Sequence, residues 1–424
     1  MTTINRYQGE CPVSDASQSN DALLRERAAK VVPGGMWGHL NATNLPKGYP
    51  QFFAKGEGAW LWDVNGRRYV DFMCAWGPNL LGYRHPEVDA AAARQNAKGD
   101  CLNGPGEAMV ELAEALVDTI AAADWTQFMK NGTDATTSCV TFARAATGKR
   151  KILVARGAYH GAVPWCSPSL VGVTSEDRAH IVVYEFNDAE SLAAAVAVAG
   201  DDLAAILVSA FRHDFGKDQE LPSRAFAQLA RQLCDAKGAA LIIDEVRTGL
   251  RLDLSGSWEQ FGVRPDLSAW SKAIANGYSL AAVTGADWLR EAASKVFVTG
   301  SFWFGAVAMA AGIETLKIAR RDDIVEHMDR LGRKLREGLN DRALKAGLQV
   351  RQTGPVQMPV MLFDDDPDCS KGNLFCSTAL EAGVFFHPKH TMFLCAAHTD
   401  ADIEAALQAA ERGFAAVANQ FQDA

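Results

Sequence analysis

An aspartate and a lysine in this chain are of types that do chemistry as a pair. Asp244 ends the apolar run Ala239-Ala240-Leu241-Ile242-Ile243, and Lys272 stands between Ser271 and the segment AIANGY. A short apolar run that stops abruptly at Asp244 and Glu245 reads as a buried parallel strand whose carboxyl end opens into a ligand crevice. A buried carboxylate favours the protonated form of a ring nitrogen beside it. A lysine amine condenses with an aldehyde and, once displaced, serves as a general base. Pyridoxal phosphate needs both: a protonated pyridine nitrogen to act as an electron sink, and a lysine for its aldehyde. The pair suggests Asp244 at the ring nitrogen and Lys272 at the aldehyde; alone, it also fits a strand cap and a surface lysine.

The elements that must position the pair can be read around it. Strand-like runs KILVA, HIVVYEF, LAAILVSA and AALIIDEV alternate with helical ones, and SRAFAQLARQLCDAKG places Phe226, Leu229 and Leu233 on one face before Gly238. This rhythm implies a mainly parallel sheet covered by helices, with ligands at the strand carboxyl ends. Asn131-Gly132-Thr133 lies where a strand over 125–129 meets a helix, so its N–H groups, hydroxyl and helix dipole suit a phosphate, although a turn and N-cap use the same residues. Upstream, a helix is expected from Asp21 as cap, a helix with Met109, Leu112, Leu116 and Ile120 on one face between Gly104 and Ala123, and a hairpin with a type I′ turn at Asn65-Gly66. Beyond about Ile318 the chain reads as amphipathic helix, strands VQMPVMLF and GVFFHP, and a final helix from Asp402. The expected division is an N-terminal arm and part of a small domain over 1–70, a large domain over 71–315 and a C-terminal small domain over 316–424.

Composition narrows the function classes. The chain has 424 residues, enough for two domains, and a formal charge of −9, which offers phosphate backbones no attracting field. Small molecules are the expected ligands and nucleic acid is not. Nine cysteines without a CxxC suggest buried thiols in a reducing compartment, with neither a disulfide framework nor a zinc ribbon. The first residues are polar and mixed in charge, without a signal-peptide core, and no run reaches transmembrane length, so a cytoplasmic protein is expected.

The segments PGGMWGHL and GAWLWDVNGRRYVDFMCAWGPNLLGYRHPEV, with ANGYSLAAVTGA after Lys272, resemble the class III aminotransferases of fold-type I, and the wording WGPNLLGYRHP is similar to the glutamate-1-semialdehyde aminomutases among them. The resemblance runs nearly to the C-terminus. It implies a large domain with a seven-stranded, mainly parallel sheet plus a smaller α+β domain from the two terminal segments. It also implies pyridoxal 5′-phosphate with Lys272 and Asp244 as catalytic residues. Asn131, Gly132 and Thr133 match the phosphate cradle, and Tyr159 with His160 match the aromatic-histidine pair whose ring stacks on the cofactor. Val246, on the same side of the strand as Asp244, is expected on the opposite ring face. VFVTGSFWFGAV resembles the stretch with which a neighbouring subunit closes on the phosphate, here through Ser301, and so implies a homodimer with a shared active site.

The substrate side departs from the family pattern. Ser209-Ala210-Phe211 replaces a Glu-Pro, and Arg212 follows at the crevice edge, where it can receive a carboxylate or else pair with Asp214. No clear counterpart exists for the aminomutase's C-terminal acid or for an arginine that holds an α-carboxylate, which favours transamination over an internal amino shift. Met36, Trp37, Trp76, Phe302, Trp303, Phe304 and Phe386 add bulk, with Trp37, Trp76 and Phe302 as substrate contacts. FMCAWGPNLLGY, AFRHDF and HPKHTMFLCAAHT resemble the branch of the family that deaminates hydrolysed fumonisin, a long-chain amino polyol. That implies an amine donor without an α-carboxylate and a 2-oxo acid acceptor such as pyruvate. An aminomutase or racemase on the same cofactor, and a cofactor-free ligand-binding α/β protein, are the alternatives.

Overall fold

The structure is a computed structural model that describes residues 19–421; the expected N-terminal arm lies outside the described residues as far as position 18. The large sheet has seven strands in the order Trp125–Met129, Ala281–Gly285, Leu267–Trp270, Ala240–Asp244, Leu203–Ser209, Lys151–Ala155 and Ile181–Tyr184. All neighbours pair parallel except Ala281–Gly285, which is antiparallel to both of its partners. The three central strands are buried at every position, as continuous apolar runs require when both faces are covered. Leu241 and Ile243 point into a core with Phe226 and Ala230, while Ala240 and Ile242 face the other core with Phe142 and Ala143. That alternation fixes the direction in which the last residue of the strand, Asp244, presents its carboxylate.

A second sheet joins the two ends of the chain. Phe53–Glu57, Trp60–Asp63 and Arg68–Asp71 form an antiparallel meander, and Val384–Phe385 adds in parallel, with Val384 opposite Val70. Helices Ile324–Lys345, Ser370–Glu381 and Asp400–Phe421 complete this part, with the Phe375 and Phe414 rings 4.7 Å apart in the core. The final helix thus starts two residues before the expected Asp402, and VQMPVMLF contributes strand only at Val360–Phe363. Among the described residues no helix is long and apolar enough to cross a membrane.

Two local expectations are corrected. The first helix, Asn20–Val31, is capped by Ser19, whose side chain accepts from the Ala22 N–H. Asp21 instead accepts the N–H groups of Gln51 and Phe52, both at 2.9 Å, and so ties the helix to the chain that enters the meander. The Asn65-Gly66 hairpin forms, but only Gly66 is left-handed, at φ 83°. The Asp63 carboxylate takes the N–H groups of Asn65 and Arg67, so the loop has three residues, with glycine in the left-handed place, and the type I′ turn is absent.

Candidate active site

Asp244 sits at the carboxyl end of the central strand, where the sheet opens. One of its oxygens lies 2.8 Å from His160 Nδ1 and the other accepts the Val246 N–H at 3.0 Å. Both side chains are buried, and among the described residues His160 Nε2 has no partner. The carboxylate is oriented by the His160 ring and a backbone donor, and among the described residues no lysine or arginine stands within 4.0 Å of it. It therefore keeps its capacity to stabilise a cation that enters the crevice.

Lys272 comes from the next strand over, just past Trp270, and has a left-handed backbone at φ 49°. Its Nζ donates to the Trp76 carbonyl at 2.9 Å. That carbonyl is aimed by an unusual turn: Cys74, Ala75 and Trp76 are three consecutive left-handed residues, at φ 46°, 53° and 67°, and none is glycine. Such a conformation costs about 1–2 kcal/mol per residue. The turn is held by Asp71, which accepts the Met73 and Cys74 N–H groups at 2.7 and 3.0 Å, and by the buried Arg251, which donates to the Gly77 carbonyl at 2.8 Å. Burial and the nearby Arg247 and Arg251 push the Lys272 ammonium down to about 7, against the opposing pull of Asp244. The amine is therefore available as a nucleophile and base near neutral pH.

The phosphate end lies at the helix Gly132–Thr147. Asn131 is its N-cap, in a reciprocal capping box with Asp134, so the Asn131 side chain is committed to the helix. Among the described residues the Gly132 and Thr133 N–H groups and the Thr133 hydroxyl have no partner, and they surround the helix N-terminus. The space is tight: a Cβ on Gly132 would stand 2.7 Å from Val246, and one on Gly161 2.7 Å from the Thr133 Oγ1. Thr136 donates to the His160 carbonyl at 2.6 Å and so links this helix to the Tyr159-His160 segment. Tyr159 is 46% exposed and lies near enough to Arg247 and Asp244 to feel their charges.

The structure thus brings Gly132, Thr133, Tyr159, His160, Asp244, Val246 and Lys272 together. Trp76 lines the same crevice, with its ring against His39, His387 and His390 at 4.3, 5.6 and 4.7 Å. Burial lowers the basicity of all three imidazoles, His387 to about 4, so they line the space as neutral hydrogen-bonding rings. Among the described residues no hydrogen bond or ring contact ties Trp37, Ser301 or Phe302 to Asp244 or Lys272, and Trp37 and Phe302 are 70% and 64% exposed; Ser301 is expected at the crevice of a second copy and not at that of its own chain. Phe386 is core. Arg212 is committed to its own surroundings, with Asp214 at 3.0 Å, Glu220 at 3.6 Å and a backbone bridge to Glu220.

Sequence reasoning missed His39, His387 and His390 and two arginines, Arg247 and Arg251. Arg247 follows Asp244 by three residues at the same strand end, a position that itself signalled the crevice. Cys74, Cys395 and His398 also converge beneath the turn, with ligand atoms within 4.8 Å of one another, but His398 Nδ1 already accepts the Cys395 N–H at 3.0 Å.

Residues 44–412 match the family described as Aminotransferase class-III. The chain belongs to the class III aminotransferases. It is 48% identical over 398 residues to the aminopentol aminotransferase of Sphingopyxis macrogoltabida, with 94% of each chain covered. It is 33% identical to a glutamate-1-semialdehyde 2,1-aminomutase of Chlorobium luteolum, covering 93% of this chain and 97% of that one. A solved structure of the FumI protein of Sphingopyxis sp. MTA144, in its PLP internal aldimine form, has a TM-score of 0.94 at 48% identity, covering 95% of this chain and 97% of that chain.

Class III aminotransferases use pyridoxal 5′-phosphate, and the residues present fit it. The unpartnered donors at Gly132 and Thr133 suit its phosphate, the Asp244 carboxylate its ring nitrogen, the exposed Tyr159 its face, and the Lys272 amine, lowered in basicity, its aldehyde.

Proposed function

We propose that this aminotransferase moves an amino group from a long-chain amine without an α-carboxylate, of the hydrolysed-fumonisin type, to a 2-oxo acid such as pyruvate. The observation that carries the reading is the Lys272 amine, buried and low in basicity, held on the Trp76 carbonyl within reach of the Asp244 field. Support for the donor class comes from the 48% identity to an aminopentol aminotransferase, and from a crevice whose Trp76 face is ringed by neutral imidazoles. Neutral imidazoles offer hydrogen bonds to hydroxyls, and the indole offers apolar area to a chain.

Bound pyridoxal phosphate supplies an electron sink for the carbon that bears the amine. Lys272 Nζ removes the proton from that carbon and returns a proton in the second half of the cycle. Asp244 keeps a positive charge on the group it faces, and His160 holds Asp244 in register. Asn131 fixes the helix whose Gly132 and Thr133 N–H groups take the phosphate. Val246 packs against Gly132 at the start of that helix, and its role in this reading is to cover the ring face that Tyr159 leaves free.

The reading includes a homodimer. Ser301 and Phe302 lie in an exposed turn between helices Asp287–Lys295 and Ala306–Arg321, and Phe297 beside them is 92% exposed, which supports a face that meets a second copy. It also includes a three-part division at 1–70, 71–315 and 316–424, and the cytoplasm, where the eight free cysteines of the described chain stay reduced.

The test is a titration of the holoenzyme's visible absorption with alanine, a long-chain 2-aminoalkanol and glutamate-1-semialdehyde, followed by pyruvate. Loss of the band with the aminoalkanol and its return with pyruvate is expected. Consumption of the semialdehyde alone, with no acceptor required, overturns the reading in favour of an aminomutase.

A further inference from the structure

Three arginines are candidates for an anion near the crevice, and they differ in what they hold. Arg212 is paired with Asp214 and Glu220, and Arg251 is spent on the Leu394 and Gly77 carbonyls. Arg247 donates only to the Thr391 hydroxyl, at 3.4 Å, and among the described residues no carboxylate lies within 4.0 Å of it. Its surroundings are Lys272, His39, His213 and His390 on the basic side, and Asp244 and Tyr159 on the other. Asp244 is already turned to His160. Arg247 is half-buried, and although burial lowers its basicity to about 10 it stays charged at neutral pH.

A charged group kept in a half-buried crevice without a counter-ion is costly, and its free donor edge is a bidentate site for a carboxylate. The position sits beside the base that moves the proton. An amine donor without a carboxylate leaves that edge unused, whereas a 2-oxo acid carries its carboxylate on the carbon next to the one that receives the amino group. We propose that Arg247 holds the carboxylate of the 2-oxo acid acceptor, with Thr391 steadying the guanidinium. This rests on the aminotransferase reading above, and it makes Arg247, in place of Arg212, the residue that selects the acceptor.

The test compares holoenzymes of wild type, Arg247→Gln and Arg247→Lys with one amine donor and two acceptors, pyruvate and propanal, which lacks the carboxylate. In Arg247→Gln the ratio of kcat/KM for pyruvate to that for propanal is expected to fall about 10- to 100-fold, the loss of a charge-assisted bond, since any change in the basicity of Lys272 is common to both acceptors, and the lysine variant recovers part of the loss. The dissociation constant of propionate, an unreactive carboxylate, measured by calorimetry on the same proteins, is expected to weaken in parallel. Equal losses for both acceptors, as from a contact with the cofactor or a structural role, overturn the proposal, and so does an unchanged propionate constant. A wild-type enzyme that uses no 2-oxo acid but binds propionate through Arg247 would refute the acceptor reading alone.

Discussion

The two sides of the crevice are built differently. The cofactor side rests on strand ends and a helix terminus inside the large sheet, where Asp244, His160 and Thr136 are locked to one another by bonds of 2.6 to 2.8 Å. The proposed substrate side is assembled from connecting segments: the strained 74–77 turn, the short helix Gly38–Leu40 and the 387–391 loop. Chemistry that every member of the family shares needs atoms fixed to a fraction of an ångström. Substrate choice is free to vary on loops that the scaffold carries.

If that contrast is right, substitutions on the cofactor side lower turnover for every substrate, and those on the substrate side discriminate among amines. The largest effect is expected for Lys272→Ala, which removes the base: turnover should drop by at least about 10²–10⁴-fold while the phosphate cradle still retains cofactor, as the spectrum of the dialysed variant will show. Residual activity within tenfold of wild type would break the assignment. Asp244→Asn comes next, with kcat lowered about 10²–10³-fold for all amines alike and KM little moved; a loss confined to one amine would place Asp244 on the substrate side instead. Trp76→Leu should raise KM for a long-chain aminoalkanol about three- to tenfold and leave short amines and kcat within a factor of two. Equal effects on long and short amines would erase the distinction between the two sides.

A pH measurement sharpens the same contrast. An unfolded lysine holds its proton to about 10.4, whereas Lys272 releases it near 7, so folding expels a proton between those values. The contribution of Lys272 to apoprotein stability therefore improves as pH rises from about 7 toward 10. The rate at which the apoenzyme captures pyridoxal phosphate should rise with pH through a midpoint near 7. In Arg247→Gln that midpoint should move upward, because one of the cations that lowers it is gone.

Much of the cofactor side was legible in the sequence because it depends on local order along single elements. The run ending at Asp244 has no exposed position, and the stretch around Asn131 gives a capped helix start. The Asp244 to His160 bond spans 84 residues, however, and no spacing rule announces it. The substrate side was harder to read because its contacts join distant loops: Trp76 meets His39, His387 and His390 only after the two ends of the chain share one sheet. Arg212 illustrates the limit. Its sequence position at a strand end suggested an anion site, but the hairpin that returns to Glu220 closes on the guanidinium. Asp21 shows the same thing in small, a residue typical of helix caps that is diverted to the backbone at Gln51 and Phe52.

The most direct test of the central claim is to reduce the cofactor-loaded protein with borohydride and map the pyridoxyl group by peptide mass spectrometry. The account predicts a single modified site at Lys272, lost in Lys272→Ala, with the yield in Asp244→Asn unchanged within a factor of two although turnover collapses. A pyridoxyl group on any other lysine, or none at all, would contradict it.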